Sequence, residues 1–363
     1  MKKMIMLIVA MSAVMYTVFA LGGNDGASKS AGKAVDLTFA AQEVGTTAYV
    51  YASTMANMFV EALPAGSNID VTTTSPGGVG APVILENGQC DIVIGNGAPT
   101  KWACTTGILG NPPVRNVRSV AGGLDEAFIN VMFTQSFVDK TGIKTLEDLV
   151  AKKYPVRIAV KSPGAFGELA CARVLEAYGV TYNDIKAWGG TVTHTGSGAI
   201  VSLLKDGRAD MTIDHLGPGQ SATTELCMTT NMYFPQMSDK ALKYLEGVGF
   251  DAYTVRPNTW KGQTKEIKSC GSPQVVLVSA DLSDDVVYSM TKALCEHTDV
   301  LVNASAALRA FNPSRAWEPL KVGAPLHPGA ERYYKEKGYI RAYLAIDKQP
   351  RRVCTLRKSD GTM

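Results

Sequence analysis

The sequence predicts an α/β protein of two similar lobes with a cleft between them, and three observations predict it. One pattern occurs twice: residues 83–96 read VILENGQCDIVIGN and residues 202–215 read SLLKDGRADMTIDH. Each copy runs from an apolar stretch through two polar residues to Gly88 or Gly207, then to Asp91 or Asp210 and a β-prone run. Its physical reading is a helix ended by a left-handed glycine cap, followed by a covered strand. Strand-like and helix-like segments also alternate along both halves of the chain, which argues for parallel sheets covered by helices. Finally, 363 residues suffice for two domains of ordinary size.

The elements follow in order. Val35 to Ala41 alternates like a first strand, and a helix runs from Ala48 to Leu63. Ile69 to Thr74 is a second strand, the Ser75-Pro76-Gly77-Gly78 loop leads into a helix over 79–87, and 91–95 is a third strand. Two strand-like pieces, VRSVAGG and FINVMFT, lie between residues 117 and 134 and are read as the first crossing to the second lobe. There Thr145 caps a short helix with Asp148 in its first turn. Val156 to Val160 is a strand, and the loop 162–167 opens a helix from Glu168 to Tyr178. Thr195-Gly196-Ser197-Gly198 opens the next helix, and Met211 to Ile213 is the repeated strand. Val275 to Ser279 is the return strand, Ser283 caps a helix from Asp284 to Leu301, and a last helix spans Ala330 to Lys337.

The ends carry different signals. Lys2 and Lys3 precede an apolar run from Met4 to Leu21, with Val18-Phe19-Ala20 as a cleavage site, so residues 1–20 read as a signal peptide and the protein as exported to the periplasm. The run is long enough that an uncleaved anchor is the competing reading. Residues 21–34 form a flexible spacer, and residues 341–363 a basic tail, read as solvated or as a partner-binding arm. The formal net charge of +3 gives no argument for nucleic acid, and the scattered histidines and cysteines give none for a metal or other cofactor. Seven cysteines leave at least one thiol unpaired in a monomer. Cys90, Cys171 and Cys295 read as buried hydrophobes, while Cys227 and Cys270 could pair.

Open α/β sheets bind ligands beyond the carboxyl ends of their strands. Four loops fall there: 44–49, 75–78, 162–167 and 214–217. Helix N-termini supply free N–H groups for an anion, so a small acid could be held without arginine, which none of the four loops contains. The candidate ligand residues are Thr46, Thr47, Tyr49, Ser75, Gly78, Asn96, Ser162, Gly164, Ala165, Phe166, Gly167 and His215. Each has a plainer reading. Thr46 and Thr47 also read as helix caps, Tyr49 as core, Asn96 as a strand terminator, and Phe166 as packing between lobes. Asp214-His215 reads as a ligand-reading pair, as hinge hydrogen bonding or as a metal-binding pair, for which a lone His with one Asp is weak evidence. Lys161 is the nearest fixed charge.

Several stretches carry a family resemblance: VGTTAYVYASTMAN (44–57), SPGGVGAPVILENGQCDI (75–92), SPGAFGELACARVLEAYGV (162–180), ADLSDDVVYSMTKAL (280–294) and LHPGAERYYKEKGY (326–339). The chain resembles the solute-binding subunits of tripartite ATP-independent periplasmic (TRAP) transporters, of the TAXI subfamily, over residues 36 to 340. The resemblance implies a type II periplasmic binding protein fold with two hinge crossings. The lobes would then be residues 35–123 with 274–340, and residues 124–273. It implies a small carboxylate such as glutamate or 2-oxoglutarate as ligand, an integral-membrane permease driven by an ion gradient as partner, and a monomer that is not an enzyme. Ser75-Pro76-Gly77-Gly78 stands where the family has Thr-Gly-Gly-Ser, and Pro163-Gly164-Ala165-Phe166-Gly167 where it has Pro-Gly-Ser-Gly-Thr. The lost hydroxyls and the added phenyl ring imply a pocket altered toward apolar surface. An enzyme on the same fold, or a sensory module feeding a receptor, are the competing functions.

Overall fold

The computed structural model describes residues 32–44 and 46–340. The signal peptide, most of the spacer, Gly45 and the basic tail read from the sequence lie outside the described residues.

The first sheet is built from β1 (Asp36–Ala40), α1 (Thr47–Ala62), β2 (Asn68–Thr72), α2 (Ala81–Glu86), β3 (Ile92–Asn96), α3 (Gly97–Thr105) and β4 (Val117–Gly122). The second takes β5 (Phe128–Thr134), α4 (Gln135–Thr141), α5 (Leu146–Ala151), β6 (Arg157–Lys161), α6 (Phe166–Ala177), α7 (Tyr182–Ala187), β7 (Thr191–Thr195), α8 (Ser197–Lys205) and β8 (Met211–Leu216). It continues through α9 (Ser221–Thr229), β9 (Met232–Tyr233), α10 (Asp239–Gly247), β10 (Asp251–Val255) and β11 (Ile267–Gly271). The chain then returns to the first sheet as β12 (Gln274–Ser279), followed by α11 (Asp284–Glu296), α12 (Thr298–Ala304), α13 (Pro319–Val322) and α14 (Pro328–Glu336).

The strand orders are β2-β1-β3-β12-β4 and β10-β11-β5-β8-β6-β7, with β9 paired to β5. This is the two-lobed α/β architecture of the type II binding fold. The sheets are mixed rather than wholly parallel. In the first, β12 alone runs against its neighbours β3 and β4. In the second, β5 runs against β8, while β8, β6 and β7 are parallel. The reversals follow from the connections. The chain leaves β4 at the carboxyl edge of its sheet and re-enters as β12 at that edge, where Val275 pairs with Gly122 and Gln274 with Asn96. A strand that starts at that edge must run backwards. Both crossings therefore lie where an open α/β sheet binds its ligand.

The sequence repeat is a structural repeat. Gly88 and Gly207 follow α2 and α8 with φ of 67° and 66°, the left-handed region that glycine enters without steric cost. The aspartates do equivalent jobs. An Asp91 carboxylate oxygen accepts the amide N–H of Thr38 in β1 at 2.8 Å, and one from Asp210 accepts that of Arg157 in β6 at 2.9 Å. Each ties the start of its strand to the parallel neighbour in the same sheet.

Three boundaries depart from the sequence reading. The helix expected from Asp284 to Leu301 breaks at His297 (φ −120°, ψ 50°) into α11 and α12. Thr298 and Asp299 follow directly, and residues that bond local backbone favour a new helix start over a helix interior. Helix α6 begins at Phe166, so Phe166 and Gly167 sit in its first turn and not in the loop. Strand β8 runs on to Leu216, so Asp214 and His215 lie inside it. The short helix at 146–151 matches its expected start, with Thr145 and Asp148 forming a reciprocal capping box.

One apolar cluster fills the outer face of the first sheet under α1, α11 and α14 (Phe59, Met290, Tyr334), and another lies beside α8 and α9 of the second (Ile200, Leu204, Leu226). A third is shared by both lobes and includes Trp102 of α3 with Val174 of α6 and Phe250 after α10. Cys227 and Cys270 are both free thiols, which corrects the pairing considered above. Cys227 belongs to the cluster beside α8 and α9, Cys270 to the shared one, and burial pushes their thiols up to about 11 and about 12.

Candidate functional site

At the carboxyl edge of the first sheet, four segments converge on an open concavity. Its lining includes Gln42 after β1, Ala48 in the first turn of α1, Ser75, Gly77 and Gly78 after β2, Asn96 at the end of β3, and Gln274 at the start of β12. None of the lining residues is charged. What the site offers is amide and hydroxyl groups together with a helix N-terminus. In α1 the Thr46 hydroxyl accepts the Tyr49 N–H at 3.2 Å, and Val50 makes the first intrahelical bond, to Thr46. The amides of Thr47 and Ala48 are left without a helical acceptor. The amide oxygen Oε1 of Gln274 is buried and has no hydrogen-bond partner among the described residues.

Asn96 fits only because residue 78 is glycine. A Cβ at Gly78 would overlap Asn96 Oδ1 and stand 2.9 Å from its Cγ. The other end of the Asn96 side chain reaches the return crossing: Nδ2 donates to the Ser272 carbonyl at 3.3 Å. The Ser272 hydroxyl accepts the Ala98 N–H at 2.8 Å, and the Ser272 N–H is donated to His215 Nε2 at 3.1 Å. One residue of the crossing thus joins the end of β3 to β8 of the other lobe. The two crossings are also tied to each other, because Asp125 Oδ1 accepts the Gln274 N–H at 2.9 Å. Burial pushes the Asp125 carboxyl up to about 6, against the lowering effect of that bond.

The structure brings together Ser75, Gly78 and Asn96, with Thr47 and Tyr49 flanking Ala48. It does not bring the second-lobe residues to the same concavity. Thr46 is a helix cap, its hydroxyl donating to the Glu43 carbonyl at 2.7 Å, and Tyr49 packs against the apolar cluster under α1. Ser162 and Gly164 are exposed on their loop, and Ala165 is the uncapped N-cap of α6. Phe166 takes its packing role: its ring centroid lies 4.2 Å from His215, 6.0 Å from Phe250 and 6.2 Å from Trp102 of the first lobe. Gln42 and Gln274 were missed. Neither sits in a glycine turn or at a helix start, and only the return of β12 beside β3 places Gln274 there.

His215 is an acceptor for the return crossing. Burial drives its imidazole from 6.5 down to about 3, so the neutral ring accepts from Ser272. The folded pKa lies below the unfolded one, so the unfolded chain takes up the extra proton in between. The contribution is whole above pH 6.5 and is lost as pH falls toward about 3. The buried Asp125 and Asp214 titrate in the opposite sense, but they remain in a His215→Gln variant. The variant is expected to be less stable than wild type at neutral pH. That gap should close on acidification by up to about 1.4 kcal/mol per pH unit. Urea denaturation at several pH values measures it, and a pH-independent gap would contradict this role.

Among the described residues no group of three or more His, Cys, Asp or Glu side chains could hold a metal. The sequence profile of the NMT1-like family matches residues 39–338. Among solved structures, the chain is similar to a TctC solute-binding protein from Polaromonas, with 15% identity, a TM-score of 0.47, and coverage of 85% of this chain and 97% of that one. It is similar to MatC from Rhodopseudomonas palustris with bound malate, with 12% identity, a TM-score of 0.43, and coverage of 83% and 98%. It is also similar to a putative sulfonate-binding protein SsuA from Methylobacillus flagellatus, with 14% identity, a TM-score of 0.46, and coverage of 85% and 88%.

Proposed function

The chain belongs to the NMT1-like family, and from that premise we propose that it is an extracytoplasmic solute receptor. It holds one small carboxylate at the concavity beside the crossings and passes it to an integral-membrane permease driven by an ion gradient. That is the role of the TAXI solute-binding subunits of TRAP transporters, which the sequence resembles. One observation carries the reading: an uncharged, amide-lined concavity lies at the carboxyl edge of a sheet, directly beside both crossings. The side-chain NH2 groups of Gln42 and Gln274, the Nδ2 hydrogen of Asn96 that Ser272 does not take, the Ser75 hydroxyl and the first turn of α1 supply donors for a carboxylate without a fixed positive charge. A ligand bound there touches the segments about which the lobes would turn, so binding and closure are coupled.

The arrangement favours holding over turnover. Asp214 and His215 are neighbours in β8 and so point to opposite faces of the sheet. His215 meets Phe166, and Asp214 meets Lys161 at 3.3 Å. They do not form an acid–base pair. The test is a thermal-denaturation panel of small mono- and dicarboxylates, including glutamate and 2-oxoglutarate. A binder at about a hundredfold excess over its Kd should raise Tm by roughly 5 °C. No shift with any acid in the panel would contradict the proposal.

A further inference from the structure

Helix α13 is a fixed part of the first lobe, packed on α3, β4 and β12. Its backbone lies so close to the sheet that a Cβ at Gly97 or Gly122 would stand 2.9 or 2.3 Å from the Lys321 carbonyl oxygen. The next carbonyl, of Val322, accepts the Ser119 hydroxyl at 2.9 Å. Lys321 is thus aimed from a rigid base. Its stem passes the first crossing, where a Cβ at Gly123 would lie 3.1 Å from Lys321 Cδ. Its ammonium donates to Asp251 Oδ2 on β10 of the second lobe. Asp251 in turn stands opposite Gly271, the last residue of β11 before the second crossing. One ion pair therefore straddles both crossings.

Lys321 has a second partner, in its own lobe. Glu318 Oε2 lies 3.4 Å from the same ammonium. Arg315 holds the Glu318 carboxylate through Nε at 2.6 Å and through Nη2 at 2.9 Å, which leaves Lys321 to Asp251. The Lys321 and Asp251 side chains are 16% and 23% exposed, so their attraction is only partly screened by solvent. A half-buried ammonium left without a partner would be costly. If the lobes part, Asp251 is withdrawn, and Glu318 keeps the cation paired. A cation set between two carboxylates, one on each lobe, has two discrete resting places, as a switching contact requires.

We propose that Lys321 is an exchangeable lock between the lobes: paired with Asp251 it holds them together, and it falls back on Glu318 when they separate. None of the three residues lines the concavity, so the inference goes beyond the carboxylate reading and does not rest on it.

The experiment is double electron–electron resonance on the full protein, with one nitroxide on each lobe. The labels sit on cysteines introduced by Glu61→Cys and Asp206→Cys, both exposed positions. Cys104→Ser and Cys354→Ser remove native thiols open to labelling, and the remaining cysteines are buried. The starting protein is expected to show one dominant separation. Asp251→Asn and Lys321→Met should each raise the population of a second, displaced separation roughly tenfold. Sodium chloride at about 1 M should raise the same population with the lock intact and leave Lys321→Met unchanged. Glu318→Gln removes the fallback partner and should keep the single separation or sharpen it. The asparagine and methionine variants cut the pair from opposite ends, so either serves if the other fails to fold. A folded Asp251→Asn or Lys321→Met protein with the starting distribution overturns the inference. So does a Glu318→Gln protein that gains the displaced separation. The carboxylate panel is read separately, so failure of the lock is distinguishable from failure of the receptor reading.

Discussion

Replacing Trp102 by alanine is expected to destabilise the protein by about 3–5 kcal/mol, the range for truncating a large aromatic side chain in a packed core. Trp102 stands on α3 of the first lobe, 7% exposed, and all its named partners belong to the second. Its ring lies 5.8 Å from Phe250 and 6.2 Å from Phe166, both edge-on. The Arg173 guanidinium sits 5.0 Å from its centroid, and its indole N–H donates to the Val248 carbonyl at 2.6 Å. Alanine removes all four contacts and leaves the Val248 carbonyl unmet. Phenylalanine at this position keeps most of the apolar contact and loses the hydrogen bond, so about 1–2 kcal/mol is expected. Urea denaturation of both variants measures the difference. A Trp102→Ala protein within about 1 kcal/mol of wild type would mean that the lobes are held elsewhere.

The second large effect is on binding. Gly78→Ala is expected to abolish the carboxylate response while leaving the fold intact. The new methyl group would occupy the position of Asn96 Oδ1, and the nearest backbone atom, Asn96 N, is 3.4 Å away. The strain can therefore be relieved by swinging the Asn96 side chain out of the concavity, which also breaks its bond to the Ser272 carbonyl. Loss of one charge-assisted hydrogen bond and a misplaced neighbour corresponds to about 2–4 kcal/mol of binding, or a Kd weaker by roughly 30-fold or more. Asn96→Ala should reproduce the loss. Thermal denaturation with the best acid of the panel reads both variants. A Gly78→Ala protein that responds as wild type would take Asn96 out of the site.

Much of the fold was legible because its signals are local. The glycine-aspartate repeat announced two equivalent helix–strand units, and its aspartates turned out to fasten β1 and β6 in the same way. Thr145, Ser283 and His327 cap the helices they precede. Helices α7 and α10 went unread although Thr181 and Ser238 cap them, while other unread elements lack such signals. Strand β7, TVTHT, runs Thr191–Thr195 with Val192 as its one apolar residue, and β10 and β11 are joined by a long loop. The site divided in the same way. Ser75, Gly78 and Asn96 were found because glycine turns and strand ends mark the carboxyl edge of a sheet. Gln274 and Ser272 belong to the return crossing, and their place beside Asn96 depends on a contact between residues almost two hundred positions apart in the chain. Phe166 could be read either way from sequence. Its neighbours Trp102, His215 and Phe250 come from three distant segments, so only tertiary structure could choose.

The most direct test of the central claim is a crystal structure of the protein purified from its native compartment without refolding. The expected result is density for one small acid at the carboxyl edge of the first sheet, within hydrogen-bond reach of Asn96 and Gln274. Density for an acid elsewhere, or an acid-soaked crystal in which Asn96 and Gln274 touch only the protein itself, would contradict the account.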